Sequence, residues 1–345
     1  MAQSIDIYKF LELSKNAPIL DVRSPIEFES GHIPSACNMP LFTNEERAAI
    51  GVIYKQKGKD LAMAKGYEYV EPKLSDFVLQ AQKLAVDGKI LVHCWRGGLR
   101  SSSMAELFEK AGLEAMLLTG GYKVFRHHVL ESFSHNYDFR VIGGETGSGK
   151  TEILNCLRKK GEQVLDFEEI ANHRGSSFGA LGQLPQPTTE QFENIIFDQL
   201  QKFDSSKRIW VEDESQSIGR VFIPKSLFQL KVNATCYRLQ IPLEIRVNRL
   251  VKDYGHFPKE FLLAAVLRIQ KRLGGLATQQ AIEALENNNL AEIVRITLFY
   301  YDKAYDYPQN QRNYKGVIFI PCEDGDNEKN TNLILEIAKN NFEIL

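Results

Sequence analysis

Cysteine is scarce in this chain, and its pattern excludes a good deal. The five residues, Cys37, Cys94, Cys156, Cys236 and Cys322, are odd in number, scattered and never in C-x-x-C spacing. That argues against a zinc site or a disulfide framework and suits a reducing compartment, so no metal centre and a cytoplasmic location are expected. An excess of charge is lacking too: 42 basic residues face 44 acidic ones, for a net charge of −2. There is no global basic signature for nucleic acid, and any polyanion site must be a local patch. No apolar run approaches the roughly 20 residues that cross a bilayer. The stretch Met1-Ala2-Gln3-Ser4-Ile5-Asp6 has no basic flank before an apolar core, so no signal peptide is expected. Internal repeats and low-complexity segments are absent.

What is present is the composition of a folded protein, 43% hydrophobic and 25% charged over 345 residues, a length that suits two domains. Helical spacing runs from Ile5 to Leu13, and Ala17 to Arg23 reads as a short strand. Ser24 and Pro25 then cap and open a helical turn. Gly31 to Pro40 reads as a loop and strand edge, Leu74 to Val86 as an amphipathic helix, and Met116 to Leu118 as another strand. Strand–helix alternation implies a parallel α/β sheet over about residues 1–133.

The most informative stretch is Ile90 to Ser103. Ile90-Leu91-Val92 is a short buried strand, Cys94 follows its end, and a loop carrying Arg96, Gly97, Gly98 and Arg100 leads into a helix expected from Ser101. Such a loop aims backbone N–H groups at one point, and the two glycines let it curl. The two arginines and the helix dipole favour the thiolate of Cys94, which is the nucleophile. Cys94, Arg96, Gly97, Gly98 and Arg100 are therefore the candidate catalytic residues, arranged for attack by sulfur on an anionic electrophile. A buried structural cysteine is the plainer alternative.

Together with this stretch, Asp21-Val22-Arg23, Glu27-Phe28, Gly31-His32-Ile33-Pro34 and Leu118-Thr119-Gly120-Gly121-Tyr122 resemble a rhodanese domain over about residues 5–130. The resemblance implies a cysteine that carries a chalcogen. The loop between Cys94 and Arg100 is one residue longer than in a typical sulfurtransferase and resembles that of the dual-specificity phosphatases built on the same fold. A wider ring of N–H groups suits a tetrahedral, phosphorus-bearing donor better than thiosulfate.

Ser132 to Asn136 reads as a linker, and residues 137–345 as a second α/β domain. Tyr137 to Ile142 is a strand running into Gly143-Gly144-Glu145-Thr146-Gly147-Ser148-Gly149-Lys150-Thr151, and a helix follows. Gly144 to Thr151 satisfies every fixed position of G-x-x-x-x-G-K-[ST], in the strand–loop–helix context of a P-loop. Its N–H groups would cradle a di- or triphosphate, Lys150 would pair with terminal oxygens, and Thr151 could hold Mg²⁺. A second strand is expected at Gln163 to Phe167. Ala171 to Gly179 is a polar loop near the phosphate end of the sheet, equally readable as a lid or as a solvated connection. Arg208 to Val211 is a strand ending in Glu212-Asp213-Glu214, which resembles a Walker B strand with Glu212 or Asp213 serving Mg²⁺ or acting as a base.

Residues 242–306 read as helical. Between 242 and 275 lie seven basic residues, Arg246, Arg249, Lys252, Lys259, Arg268, Lys271 and Arg272, against Glu244, Asp253 and Glu260. That surplus is a candidate nucleic-acid face, with Arg268, Lys271 and Arg272 as its expected contacts, or else plain solvated surface. Tyr300, Tyr301, Tyr305 and Tyr307 could stack on bases but are more readily read as packing against the sheet. A strand at Val317 to Ile320 and a helix from Asn332 to Phe342 close the chain.

A rhodanese-like domain joined to a P-loop domain, with the loop Cys94-Trp95-Arg96-Gly97-Gly98-Leu99-Arg100-Ser101, closely resembles the bacterial tRNA 2-selenouridine synthases. That resemblance implies conversion of wobble 2-thiouridine to 2-selenouridine in tRNA, through an S-geranyl intermediate. It implies selenophosphate and geranyl diphosphate as co-substrates, Cys94 as the selenium carrier (S-selanylcysteine), and no tightly bound cofactor. A transient contact with a selenophosphate-producing enzyme is a further expectation. Two rival readings are a long-loop phosphatase and a nucleotide-switched binding module.

Overall fold

The computed structural model describes residues 2–309 and 314–340, without the side chains of 304–309 and 340. The chain divides into two compact units, Met1–Phe133 with Glu193–Asp198, and Ser134–Phe192 with Gln199–Leu345.

The first unit holds five strands: β1 (Gln3–Ile5), β2 (Ile19–Asp21), β3 (Cys37–Asn38), β4 (Lys89–His93) and β5 (Glu114–Leu118). They form one parallel sheet in the order β1-β5-β4-β2-β3. Ile90, Leu91 and Val92 at the centre of β4 are a continuous apolar run because a parallel sheet is buried on both faces. Phe77 and Ala81 of the helix Leu74–Leu84, and Met104, Ala105 and Phe108 of the helix Leu99–Lys110, pack with Leu20, Ile90 and Val92 in one core. Asp87 (φ 50°) and Gly88 (φ 72°) make the tight turn into β4.

Two local expectations change here. The helix after the cysteine loop begins at Leu99 rather than Ser101, because the Gly98 carbonyl accepts from the N–H groups of Ser101 (3.1 Å) and Ser102 (3.2 Å). Arg100 is thereby drawn into the first helical turn. Residues Asn44–Lys57 and Lys59–Val70 form two helices for which the sequence offered no stripe. Among their residues only Ala62 and Gly66 are buried, so their apolar side chains do not share one face.

In the second unit β6 (Phe139–Gly144), β7 (Gln163–Val164), β8 (Ile209–Glu212), β11 (Thr235–Gln240) and β12 (Gly316–Pro321) form a parallel sheet in the order β12-β11-β6-β8-β7. A small antiparallel pair, β9 (Ser217–Ile218) and β10 (Val221–Phe222), stands apart from it. Ile142, Leu154, Leu157, Trp210, Tyr237 and Ile334 share the core of the main sheet. The expected strand at 163–167 is shorter than anticipated. The Asp166 carboxylate accepts from the Glu169 N–H (2.8 Å) and starts a helix at Phe167–Ala171 instead.

The helical stretch is the crossover between β11 and β12. It comprises the helices Leu243–Tyr254, Lys259–Leu273, Gly275–Glu286 and Leu290–Gln309. These build a core of their own, in which Leu262, Val266, Ala281, Leu285 and Ile293 are buried. The closing helix is Asn327–Asn340, and the expected end at Phe342 lies outside the described residues. Among the described residues, no helix is long and apolar enough to cross a membrane.

Candidate active sites

Cys94 is buried (3% exposed) at the C-terminal end of β4, where the strand gives way to the glycine loop. The Ser101 hydroxyl, one turn into the following helix, donates to Cys94 Sγ at 3.2 Å. Burial pushes the thiol pKa up, but the Ser101 hydrogen bond, the Arg100 charge and the N–H groups of Arg96 and Gly98 outweigh it and hold it below its ordinary value. Arg96 therefore acts through its N–H group, while its side chain is exposed. The Arg100 guanidinium is braced by Glu27, at 2.7 Å from Nη1 to Oε2 and 3.3 Å from Nη2 to Oε1. Burial raises the Glu27 pKa, yet Arg100 and the Ser24 N–H lower it further, so this carboxylate stays ionised beside the site.

The loop is held from below by the second glycine motif. The Tyr122 N–H donates to the Cys94 carbonyl (2.8 Å) and the Lys123 N–H to the Trp95 carbonyl (3.0 Å). Gly97 (φ 65°) and Gly121 (φ 61°) are both in the left-handed region, and a Cβ on Gly121 would lie 2.3 Å from the Cys94 carbonyl oxygen. That contact is the physical content of Thr119-Gly120-Gly121-Tyr122. The Asp21-Val22-Arg23 motif is scaffold of another kind. Arg23 is buried, pairs with Asp21 (Nη2 to Oδ2, 2.6 Å), donates to the Gly31 carbonyl (2.7 Å) and lies 3.8 Å over the Tyr122 ring. Asn38 Nδ2 donates to the carbonyls of Asp21 (2.9 Å) and Arg23 (3.0 Å). His93 Nε2 lies 3.7 Å from Asp21 Oδ2, yet burial lowers the His93 pKa despite that carboxylate's pull.

The P-loop occupies the matching place at the end of β6. Gly144 (φ 150°), Gly147 (φ 79°) and Gly149 (φ 86°) have conformations that L side chains rarely adopt, and a Cβ on Gly144 would meet the Ser148 hydroxyl at 2.5 Å. Lys150 Nζ donates to the Gly144 carbonyl (3.0 Å). The Ser148 hydroxyl is buried without a hydrogen-bond partner, which leaves it available to a phosphate oxygen. Thr151 follows in the first helical turn, and Glu145 lies 3.1 Å from Arg246.

Arg246 and Arg249 depart from the expectation of a solvated basic face. Arg246 reaches the Thr146 carbonyl (3.3 Å) and pairs with Asp302 (2.9 Å for each nitrogen). Arg249 donates to the Gly147 carbonyl (3.0 Å), the Gly325 carbonyl (3.1 Å) and Asn327 (3.1 Å). Both arginines clamp the P-loop because the helix Leu243–Tyr254 packs beside it. Helical spacing alone did not show which face would turn inward. Arg268, Lys271 and Arg272 stay on the exposed face of Lys259–Leu273, with Arg268 donating to the Ser177 carbonyl (3.3 Å) and Arg272 hydrogen-bonded to Tyr300. Tyr301 is partly buried and packs on the helical core, whereas the side chains of Tyr305 and Tyr307 lie outside the described residues.

Across from Lys150 stands a set of buried acids, of which the sequence flagged only those after β8. Asp213 accepts from the Tyr314 hydroxyl (2.5 Å) and lies 3.6 Å from the buried Lys231 ammonium. Glu212 Oε1 accepts from the Glu168 N–H (2.8 Å). Burial raises Glu212 and Glu168 well above the carboxylate range and Asp166 to about 6, and neighbouring carboxylates add to the effect. The polar loop rests directly on these acids: a Cβ on Gly175 (φ 65°) would lie 2.5 Å from Glu214 Oε2 and 2.9 Å from Glu168 Oε1. Lys231, Asp166 and Glu168 carried no signal in the sequence, since their importance comes from distant strands meeting. Among the described residues, no group of three or more His, Cys, Asp or Glu side chains is placed to hold a metal ion.

Residues 6–128 match the rhodanese-like domain, and residues 137–329 match the tRNA 2-selenouridine synthase AAA domain. The tRNA 2-selenouridine synthase of Sulfurovum sp. is 34% identical over 339 residues, covering 88% of this chain and 92% of that relative. That of Marinobacter nauticus is 34% identical over 349 residues, covering 90% and 94%. A solved N-terminal domain of a putative ATP/GTP binding protein from Clostridium difficile 630 is 44% identical, with a TM-score of 0.36, covering 37% of this chain and 99% of that one.

Proposed function

Because the chain belongs to the tRNA 2-selenouridine synthase family and is an enzyme of that type, we propose that its two anion-binding loops divide the selenation of tRNA into two steps. In the first, the thiocarbonyl sulfur of wobble 2-thiouridine attacks the first carbon of geranyl diphosphate. The carbon–oxygen bond breaks, diphosphate leaves, and the N3 proton is lost, which leaves an S-geranyl group on the base. In the second, the Cys94 thiolate attacks the phosphorus of selenophosphate and the P–Se bond breaks; the hydrogen selenide so released adds at C2 and expels geranyl thiol, and water then cleaves the S–P bond, returning Cys94 and releasing phosphate. Alkylation is what makes the sulfur a leaving group.

Cys94 carries this reading: a buried cysteine at the focus of N–H groups, with Ser101 and Arg100 lowering its pKa. Thiolate and nest together fit a phosphorus-bearing chalcogen donor. The P-loop would hold the diphosphate, with Lys150 and the Ser148 hydroxyl on its oxygens. Asp213 is committed to Lys231 and Tyr314, so no step is routed through Mg²⁺. Arg268, Lys271 and Arg272 would meet tRNA phosphates. Both donors and the tRNA would be met in the cytoplasm. The test is a nucleoside digest of thiolated tRNA incubated with the purified protein and both donors. S-geranyl-2-thiouridine and then 2-selenouridine are expected. Selenation without geranyl diphosphate would overturn the two-step order.

A further inference from the structure

Hydrogen selenide released at Cys94 must meet C2 of the base before it diffuses away, so the pyrimidine has to stand at the mouth of the Cys94 loop. That mouth is a row of five exposed residues, Trp95, Arg96, Gly97, Gly98 and Leu99. Trp95 is 37% exposed and Leu99 58%, beside a cysteine that is 3% exposed. Between them a Cβ on Gly98 would meet nothing within 4 Å, so the loop opens onto free space there. An exposed tryptophan or leucine is ordinary by itself. The way this tryptophan is held is not.

Trp95 is fixed from behind. Its carbonyl accepts from the Lys123 N–H (3.0 Å), its ring leans on Tyr122 with centroids 5.7 Å apart, and the Arg23 guanidinium lies 6.0 Å from it. Tyr122 is itself buried, with Arg23 at 3.8 Å over its ring, and its hydroxyl accepts from Asn194 Nδ2 (2.9 Å). A ring so placed has given up much of its rotamer freedom before a ligand arrives, so stacking on it costs little further order. The neighbouring cations are committed, with one exception. Arg23 is paired with Asp21 and Arg100 with Glu27. Arg96 is exposed and has no ion pair among the described residues.

An anchored aromatic ring beside an uncommitted guanidinium suits an unstacked base and its phosphate. We infer, resting on the reading of the Cys94 loop as the place of selenation, that Trp95 is the platform on which the wobble base of tRNA stacks when it is brought to Cys94, with Arg96 on an adjoining phosphate and Leu99 closing the other side of the mouth. Stacking covers one face of the pyrimidine and leaves the other to the selenium nucleophile, which adds to C2 from above the ring plane. The platform positions the base without choosing it, since every base has a π-face. The choice of a base with a leaving group at C2 then falls to the chemistry.

The chain has two tryptophans, and Trp210 is fully buried, so fluorescence that iodide can quench comes from Trp95. The full-length protein is titrated with two tRNAs ligated from synthetic halves, one carrying 2-thiouridine at the wobble position and one an abasic nucleotide there. The thiolated tRNA should shield Trp95 from iodide, whereas the abasic tRNA should bind more weakly and leave the quenching in place. Trp95→Ala should lower affinity for the thiolated tRNA by about tenfold or more and bring the two tRNAs to equal affinity, while Trp95→Phe keeps most of the difference. Arg96→Gln should reduce the salt slope for both tRNAs by about one phosphate contact. Equal shielding by the two tRNAs, no shielding by either, or a Trp95→Ala protein that still prefers the thiolated tRNA as the parent does would overturn the platform. The shielding measurement needs no variant, so it decides the matter even where Trp95→Ala disturbs the loop; alkylation of Cys94 by iodoacetamide at the parent's rate reports that it does not. Undiminished selenation by Cys94→Ser would instead overturn the reading of the loop itself.

Discussion

The Cys94 loop and the P-loop are built on one backbone device. Each follows the central strand of a five-stranded parallel sheet, β4 in one unit and β6 in the other. Each curls through glycine of positive φ, Gly97 in one and Gly144, Gly147 and Gly149 in the other, and ends at a helix N-terminus, so each aims N–H groups at one point. They differ in what stands at the focus. In the first, the nucleophile is built in: Cys94 is buried with a hydroxyl and N–H groups on its sulfur. In the second, Gly144 leaves the centre bare, Lys150 stands at the edge, and buried carboxylates face it. A cradle with its own thiolate can take a group from an anion, whereas a cradle without one can only hold an anion and release it. Their supports differ as well: the Cys94 loop is braced by backbone at Gly121 and Tyr122, and the P-loop by the side chains of Arg246 and Arg249.

The comparison can be broken at several points. The largest effect should come from Cys94→Ser. Selenium incorporation should fall by roughly a thousandfold or more, equivalent to about 4 kcal/mol of barrier, while S-geranyl-2-thiouridine accumulates in the same nucleoside digest. If both products vanish, the two loops do not divide the work. Next is Lys150→Ala, which removes the charge-assisted partner of the diphosphate. Geranyl diphosphate affinity should drop by about 2–3 kcal/mol, roughly 30- to 150-fold, with alkylation of Cys94 by iodoacetamide unaltered.

Gly121→Ala tests the backbone brace. Its new Cβ would fall 2.3 Å from the Cys94 carbonyl, and the strain at positive φ should cost about 1–3 kcal/mol in urea unfolding. A variant as stable as the parent would mean that the brace yields without cost. The smallest effect belongs to Ser101→Ala. The hydroxyl favours the thiolate, so the midpoint of the iodoacetamide rate against pH lies below the ordinary thiol range and should move up without it. At neutral pH the variant should therefore alkylate severalfold more slowly. An unmoved midpoint would leave the N–H groups and Arg100 as the whole cause.

Short-range order was readable because it depends on neighbours in the chain. The strand into Cys94, the glycine curl, the P-loop between its strand and helix, and the run of crossover helices all follow from local spacing and backbone freedom, as did the parallel α/β class. The structure bears that class out in both sheets. The helices Asn44–Lys57 and Lys59–Val70 were not readable, because so few of their residues are buried that no periodic stripe forms.

What only the tertiary structure decided is where long side chains turn and which distant acids meet. By spacing, Arg246, Arg249 and Arg268 belonged to one basic stretch. Packing sends the first two to P-loop carbonyls and leaves the third exposed beside Ser177. Asp166 and Glu168 on one segment and Glu212 on another perturb one another only because β8 lies beside β7 and the chain after β7 folds back over Glu212. An apolar cavity beside the P-loop, lined by Thr146, Leu250, Tyr254 and Leu262 among others, is likewise invisible in the sequence. Its walls come from the P-loop, the polar loop and the crossover helices, and a cavity is a property of how surfaces fail to fill space rather than of any one of them.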